Sequence, residues 1–87
     1  MTNIYAYCLF DQDDNFHGVY SSLKAIHRDA LKLCNRGNSD VFLKLDNTFQ
    51  KPSLSLLRRI FKGEIDTKIH YVSNNASIKI IKTKLKE

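Results

Sequence analysis

Glycine and proline are scarce in this chain, with three glycines and one proline among 87 residues. The glycines (Gly18, Gly37, Gly63) stand far apart, so neither a glycine-rich phosphate loop nor a nucleophile elbow can be built from them. With one proline and no low-complexity tract there is no linker, and residues 1–87 read as a single domain. Two cysteines, Cys8 and Cys34, lack metal-ligand spacing and read as free thiols of a cytoplasmic protein. No apolar run approaches the roughly 20 residues that span a membrane. The start, "MTNIYAYCLF", has no basic segment and no cleavage site, so a secretory signal is not expected.

What is present suffices for a core: 43% of residues are apolar and 10% aromatic. That composition argues against disorder. The net charge is +5 and unevenly placed. Residues 1–46 hold five Lys/Arg and six Asp/Glu, whereas residues 47–87 hold nine and three, for −1 and +6. Such asymmetry favours a polyanionic partner, nucleic acid first and an acidic protein surface second.

Local patterns define the elements. "IYAYCLF" (Ile4–Phe10) is aromatic and β-branched and predicts a strand. "DQDDN" is a turn, and "FHGVY" (Phe16–Tyr20) returns as a second strand, in which Gly18 marks a bulge or a close approach. Ser21 or Ser22 caps a helix that Asn35 to Gly37 ends. "DVFLKLDN" (Asp40–Asn47) predicts a third strand. Pro52 suits the first turn of a second helix, stopped by Gly63. "TKIHYVS" and "ASIKIIKTK" flank Asn74-Asn75 and predict a hairpin with a type I′ turn. The order ββα-β-α-ββ implies a small α+β domain, a mostly antiparallel sheet with two helices on one face.

Three basic features are candidate nucleic-acid contacts. In the first helix Lys24, Arg28, Lys32 and Arg36 fall within roughly 120° of arc, opposite Leu23, Ile26, Ala30, Leu33 and Cys34. Any amphipathic helix has such a wet side, but acidic residues are nearly absent from this one. In the second helix Leu54, Leu57 and Phe61 make the core face. Ser53 and Ser55 at its start, with Arg58, Arg59 and Lys62 outside the core face, suit a phosphate grip; a cap plus solvated arginines is the competing reading. The final strand carries Lys79, Lys82 and Lys84, which either contact phosphates or guard an exposed edge. Strand aromatics, Tyr5, Tyr7, Tyr20, Tyr71 and Phe42, would stack on bases if the open face bore them and would fill the core otherwise.

Catalytic and metal chemistry is not expected. Asp11, Asp13 and Asn15 imitate part of a calcium loop, but Phe16 and Ser22 stand where its glycine and glutamate belong. His27 and Cys34 are about 10 Å apart along a helix, too far for a hydrogen bond. With His17 and His70 they form no evident acid–base set, and no cofactor is implied.

The run "YAYCLFDQDDNFHGVYSSLKAIHRDALKL" (Tyr5–Leu33) resembles a pattern in small accessory proteins of T4-like phages: a short strand, an acidic turn, "GVYSSLKA" and a basic helix. It is also distantly similar to the strand-strand-helix modules of intron-endonuclease DNA-binding repeats, although here a third strand intervenes and the chain ends in a hairpin. The phage resemblance implies a counter-defence protein in the host cytoplasm, with antagonists of toxin–antitoxin endoribonucleases as one RNA-binding example. The expectation is therefore a non-enzymatic nucleic-acid-binding protein, RNA ahead of DNA. An inhibitor that docks an acidic host protein is the alternative, and a homodimer, formed through an apolar face of the sheet ahead of the edge-prone strands Thr67–Ser73 and Ala76–Thr83, is expected to widen the basic surface.

Overall fold

The computed structural model describes residues 5–34, 40–62, 67–74 and 76–84. Eight elements follow one another: β1 (Tyr5–Phe10), β2 (Phe16–Tyr20), α1 (Leu23–Cys34), β3 (Phe42–Leu45), β4 (Thr48–Gln50), α2 (Leu54–Ile60), β5 (Thr67–Val72) and β6 (Ser77–Lys84). The strands form one sheet in the order β2-β1-β6-β5-β3-β4, with every pairing antiparallel. The α+β class and the helices over an antiparallel sheet are as the sequence predicts. Among the described residues no helix is long and apolar enough to cross a membrane.

Local chemistry explains each element. The Asp11 carboxylate closes the β1–β2 loop: Oδ1 accepts from the backbone N–H groups of Asp13 and Asn15, both at 2.9 Å. Its Oδ2 accepts from Asn15 Nδ2 and lies 3.0 Å from His17 Nε2. Led by the His17 bond, these contacts hold the Asp11 carboxyl at about 2. The aspartate that imitated a calcium ligand is thus spent on its own turn. The register shifts between Leu9 and Phe10, opposite Gly18 and Phe16, which leaves His17 as the extra residue of a bulge. Gly18 thus marks the bulge and not a close approach of another element: a Cβ there would meet only the Tyr20 ring of its own strand, at an ordinary contact distance of 3.4 Å.

Ser22 Oγ accepts from Ala25 N at 3.4 Å and begins α1; the expected stop at Asn35–Gly37 lies outside the described residues. Helix α2 is shorter than predicted. Ser53 is its cap, with Oγ accepting from Leu56 N at 3.1 Å, so Pro52 precedes the helix. The stop expected at Gly63 falls outside the described residues, as does Asn75 of the last hairpin, whose arms are tied by Ser73 N donating to Ala76 O.

The third predicted strand forms as β3 (Phe42–Leu45), but its last two residues, Asp46 and Asn47, are a turn into a further strand. Asp46 takes positive φ (55°), Leu45 pairs with Thr48, and the chain folds back as β4, over residues that the sequence patterns leave unassigned. A second correction concerns the last two strands. β5 and β6 are not edges: β6 lies between β1 and β5, and β5 between β6 and β3. The edges are β2 and the three-residue β4. Lysines on β6 therefore guard no edge, and pairing of β5 or β6 with a second copy is blocked by their neighbours.

One face of the sheet holds the core. Leu9, Leu43, Ile69, Tyr71, Ile78 and Ile80 meet Ile26, Ala30 and Cys34 of α1 and Leu56, Leu57 and Phe61 of the second helical segment. Leu54, expected in the core, is half-buried, and Leu56 takes its place.

Candidate nucleic-acid interface

Residues paired directly across antiparallel strands point to the same face. That rule sorts every strand residue. Tyr7 pairs with Tyr20 and Lys82, and Tyr71 with Leu43 and Ile78, so these residues face the helices. Tyr7 packs its ring on Phe61 (centroids 5.4 Å apart), and Tyr20 Oη donates to Asp29 Oδ2 at 2.6 Å. Tyr71 is fully buried, shares a 2.6 Å hydrogen bond with His27 Nδ1, and has its hydroxyl pKa pushed up by burial. The tyrosines are thus core residues and not stacking platforms.

Lys82 belongs with them. It is 4% exposed, its Nζ donates to the Phe61 carbonyl at 2.6 Å, and it lies 4.2 Å from the centre of the Tyr5 ring. The expectation that Lys82 contacts nucleic acid is overturned: this lysine ties β6 to the last turn of α2, where backbone carbonyls lack helical partners.

The other face is open. Its strongest feature is a row that takes one residue from each strand: Phe16, Phe10, Lys79, His70, Lys44 and Phe49, each paired with the next. Five inter-strand steps make the row roughly 24 Å long. Phe10 and Phe16 stack tilted with centroids 5.5 Å apart at one end. Lys79 Nζ sits 5.1 Å from the Phe10 centroid, and Lys44 Nζ 5.8 Å from that of Phe49. Beside the row lie Val19, Cys8, Ile81 and Lys68, which pair in sequence across four strands, and Phe42, which pairs with Val72. The exposed large apolar residues among those described are Phe16 (56%), Val19 (60%), Phe42 (46%) and Phe49 (59%), all on this face.

The row is cationic. His70 stands between Lys79 and Lys44 on the neighbouring strands. Burial, and then the charges of Lys68, Lys79 and Lys44, hold its pKa below the ordinary histidine value. The strands supply no carboxylate to this face among the described residues. At its margin, Asp14 in the β1–β2 loop accepts from Lys79 Nζ at 2.9 Å. That carboxylate is largely exposed, and such a pair contributes little that a phosphate could not replace.

The candidates from the sequence are scattered. Lys79 is the one that belongs to the row. Lys24, Arg28 and Lys32 are exposed on α1, on the opposite side of the sheet. Arg58, Arg59 and Lys62 are exposed on or just after α2. Ser55 is exposed, and the Ser53 hydroxyl is committed to its own helix cap, so the two serines do not form the expected phosphate grip. Arg36 and the side chain of Lys84 lie outside the described residues. Sequence reading missed Phe10, Phe16, Lys44, Phe49, Lys68 and His70. A signal for part of the set was there: in "KIHYV" Lys68 and His70 alternate with Ile69 and Tyr71, the two-residue period of a half-buried strand.

An open antiparallel sheet with aromatic rings and cations on its uncovered face defines, in chemical terms, a surface for stacking and for anions. The comparisons with known proteins add no family to that description: no family model, curated protein or solved structure matches the chain.

Proposed function

We propose that the protein is a non-enzymatic nucleic-acid-binding protein that lays a single strand, RNA by preference, across the open face of its sheet. The observation that carries this reading is the cross-strand row Phe16–Phe10–Lys79–His70–Lys44–Phe49. Exposed rings stack on bases of any sequence, at about 1–3 kcal/mol per base, while lysines between them neutralise the backbone. A duplex hides its base faces and offers the row only phosphates. Single-stranded RNA offers both, because its unstacked bases can be splayed onto aromatic side chains. A row of this length accommodates about four nucleotides, the short end of single-strand sites. Covering a short RNA segment is also what a counter-defence protein acting against an endoribonuclease would do, a role suggested by the phage-protein resemblance alone.

Homodimer formation through the same face would set Lys44, His70 and Lys79 against their copies, and like charges across a two-fold axis repel. Oligonucleotide and a second copy would then compete for one surface.

Fluorescence anisotropy of a labelled eight-nucleotide RNA tests the reading. The wild type should bind the single strand more tightly than the same sequence in a duplex, and Phe16→Ala with Phe49→Ala should remove most of that difference. Equal affinity for both forms, unchanged by the double substitution, would reject the sheet face as the site.

A further inference from the structure

On the far side of the molecule the outer surface of α1 and the start of α2 enclose an open cleft of about 770 Å³. Its floor is aliphatic: Ala25 and Leu31 from α1 and Leu54 from α2. Its rim is cationic: Lys24, Arg28 and Lys32, spaced at i, i+4 and i+8 over about 12 Å of helix. No carboxylate lines it among the described residues. The acid closest in sequence, Asp29, accepts from Tyr20 Oη at 2.6 Å and pairs with one rim cation, Arg28, through Nε at 3.2 Å. Its carboxyl is held below the usual range, first by the Tyr20 bond and then by the Arg28 bond. Among the described residues Lys24 and Lys32 make no ion pair, and Arg28 shares only the exposed pair with Asp29, which contributes little.

We infer that this cleft is a second binding site, and that it takes an acidic amphipathic helical segment of a partner protein. Charge complementarity selects the sign of the partner. The floor selects its kind: it is mainly aliphatic, and its one ring, His27, is half-buried and tied to Tyr71 at 2.6 Å, whereas the exposed phenylalanines available for bases are on the opposite side of the sheet. A helix laid in a groove places apolar anchors at i, i+3 or i+4 and i+7 on the floor. Glutamates on its flanks then reach Lys24, Arg28 and Lys32. The inference is independent of the sheet-face reading, because the two surfaces share no residue.

Two 18-residue helical peptides supply the test, with leucines at heptad a and d positions and either glutamate or lysine elsewhere. Titrated into isotope-labelled protein, the acidic peptide should shift the amide signals of Lys24 to Lys32 and of Leu54. Lys24→Glu with Arg28→Glu should weaken it at least about tenfold, since like charges now face each other. The neutralising pair Lys24→Gln with Lys32→Gln should weaken it less and, at exposed positions, should leave the fold unchanged. Phe16→Ala with Phe49→Ala should not alter peptide binding. The inference is overturned if the cleft signals stay still at millimolar peptide or if the basic peptide shifts them equally. It is also overturned if the eight-nucleotide RNA displaces the acidic peptide, which would make the stripe part of the nucleic-acid surface.

Discussion

Lys79 and Lys82 lie three residues apart on the same strand and do opposite work. Lys82 points to the helices, is 4% exposed, and donates to the Phe61 carbonyl. Lys79 points away, lies over Phe10 and ends at the exposed carboxylate of Asp14. The contrast recurs in the central strands. On the helix side, Leu9, Leu43, Ile69, Tyr71 and Ile80 are sealed in the core. On the other side, phenylalanines remain in water beside lysines. A lysine's role is thus set by the face its strand presents, and exposed rings with adjacent cations mark the face that stability does not require.

The largest effect that would break this comparison is at Lys82. Lys82→Glu places a carboxylate against the Phe61 carbonyl and the Tyr5 ring in a buried site, and should cost more than about 3 kcal/mol of stability. Lys79→Glu, at a half-buried side chain whose partner Asp14 is largely exposed, should cost about 1 kcal/mol or less. Urea denaturation of the two variants checks both. Similar losses would mean that the faces do not differ as described.

Next in size is the effect of the rings. Phe49→Ala and Phe16→Ala should each weaken single-stranded RNA by about 10- to 100-fold, the equivalent of one lost base stack. Thermal melting should change little, because both rings are more than half exposed. A large drop in melting temperature without a change in affinity would turn these residues into structural ones.

The salt dependence sharpens the comparison further. Lys44, Lys68 and Lys79 together should give a slope of log affinity against log salt of about −2, at roughly 0.7 per neutralised phosphate. A much steeper slope would bring the helix-side cations into the same interface.

The smallest effect is that of pH. His70 faces Lys79 on β6 and Lys44 on β3, with Lys68 on its own strand, and Asp14 is the carboxylate that reaches this group through Lys79. In the free protein its pKa is depressed, so the imidazole is neutral at neutral pH. A bound polyanion favours the protonated form and raises that pKa. Affinity should therefore increase as pH falls through the bound-state pKa, be fully enhanced below the free-state pKa, and lose the gain as pH rises again. His70→Gln should flatten the profile while leaving neutral-pH affinity nearly unchanged.

The helices were legible because their signals are local. The basic and apolar arcs of α1 follow from its 3.6-residue period, and the serine before each helix is its cap. The sheet was legible as a set of strands and not as an order. That β6 is central depends on pairings with Tyr5–Phe10 and Thr67–Val72, which no local pattern announces. From the sequence, Lys82 looks like any surface lysine for that reason. The Asp46–Asn47 turn read as the end of the third strand, and the three residues of β4 are too few to show a strand pattern, so Phe49 was missed. The row itself needs five registers at once, and alternation in β5 reveals only its middle.

The most direct test is to map, by amide signals, where an unstructured eight-nucleotide RNA touches the protein. The prediction is that Phe10, Phe16, Lys44, Phe49, His70 and Lys79 move together, while Lys24 to Lys32 on α1 stay still. Shifts confined to α1 and α2, or none on the sheet at saturating RNA, would contradict it.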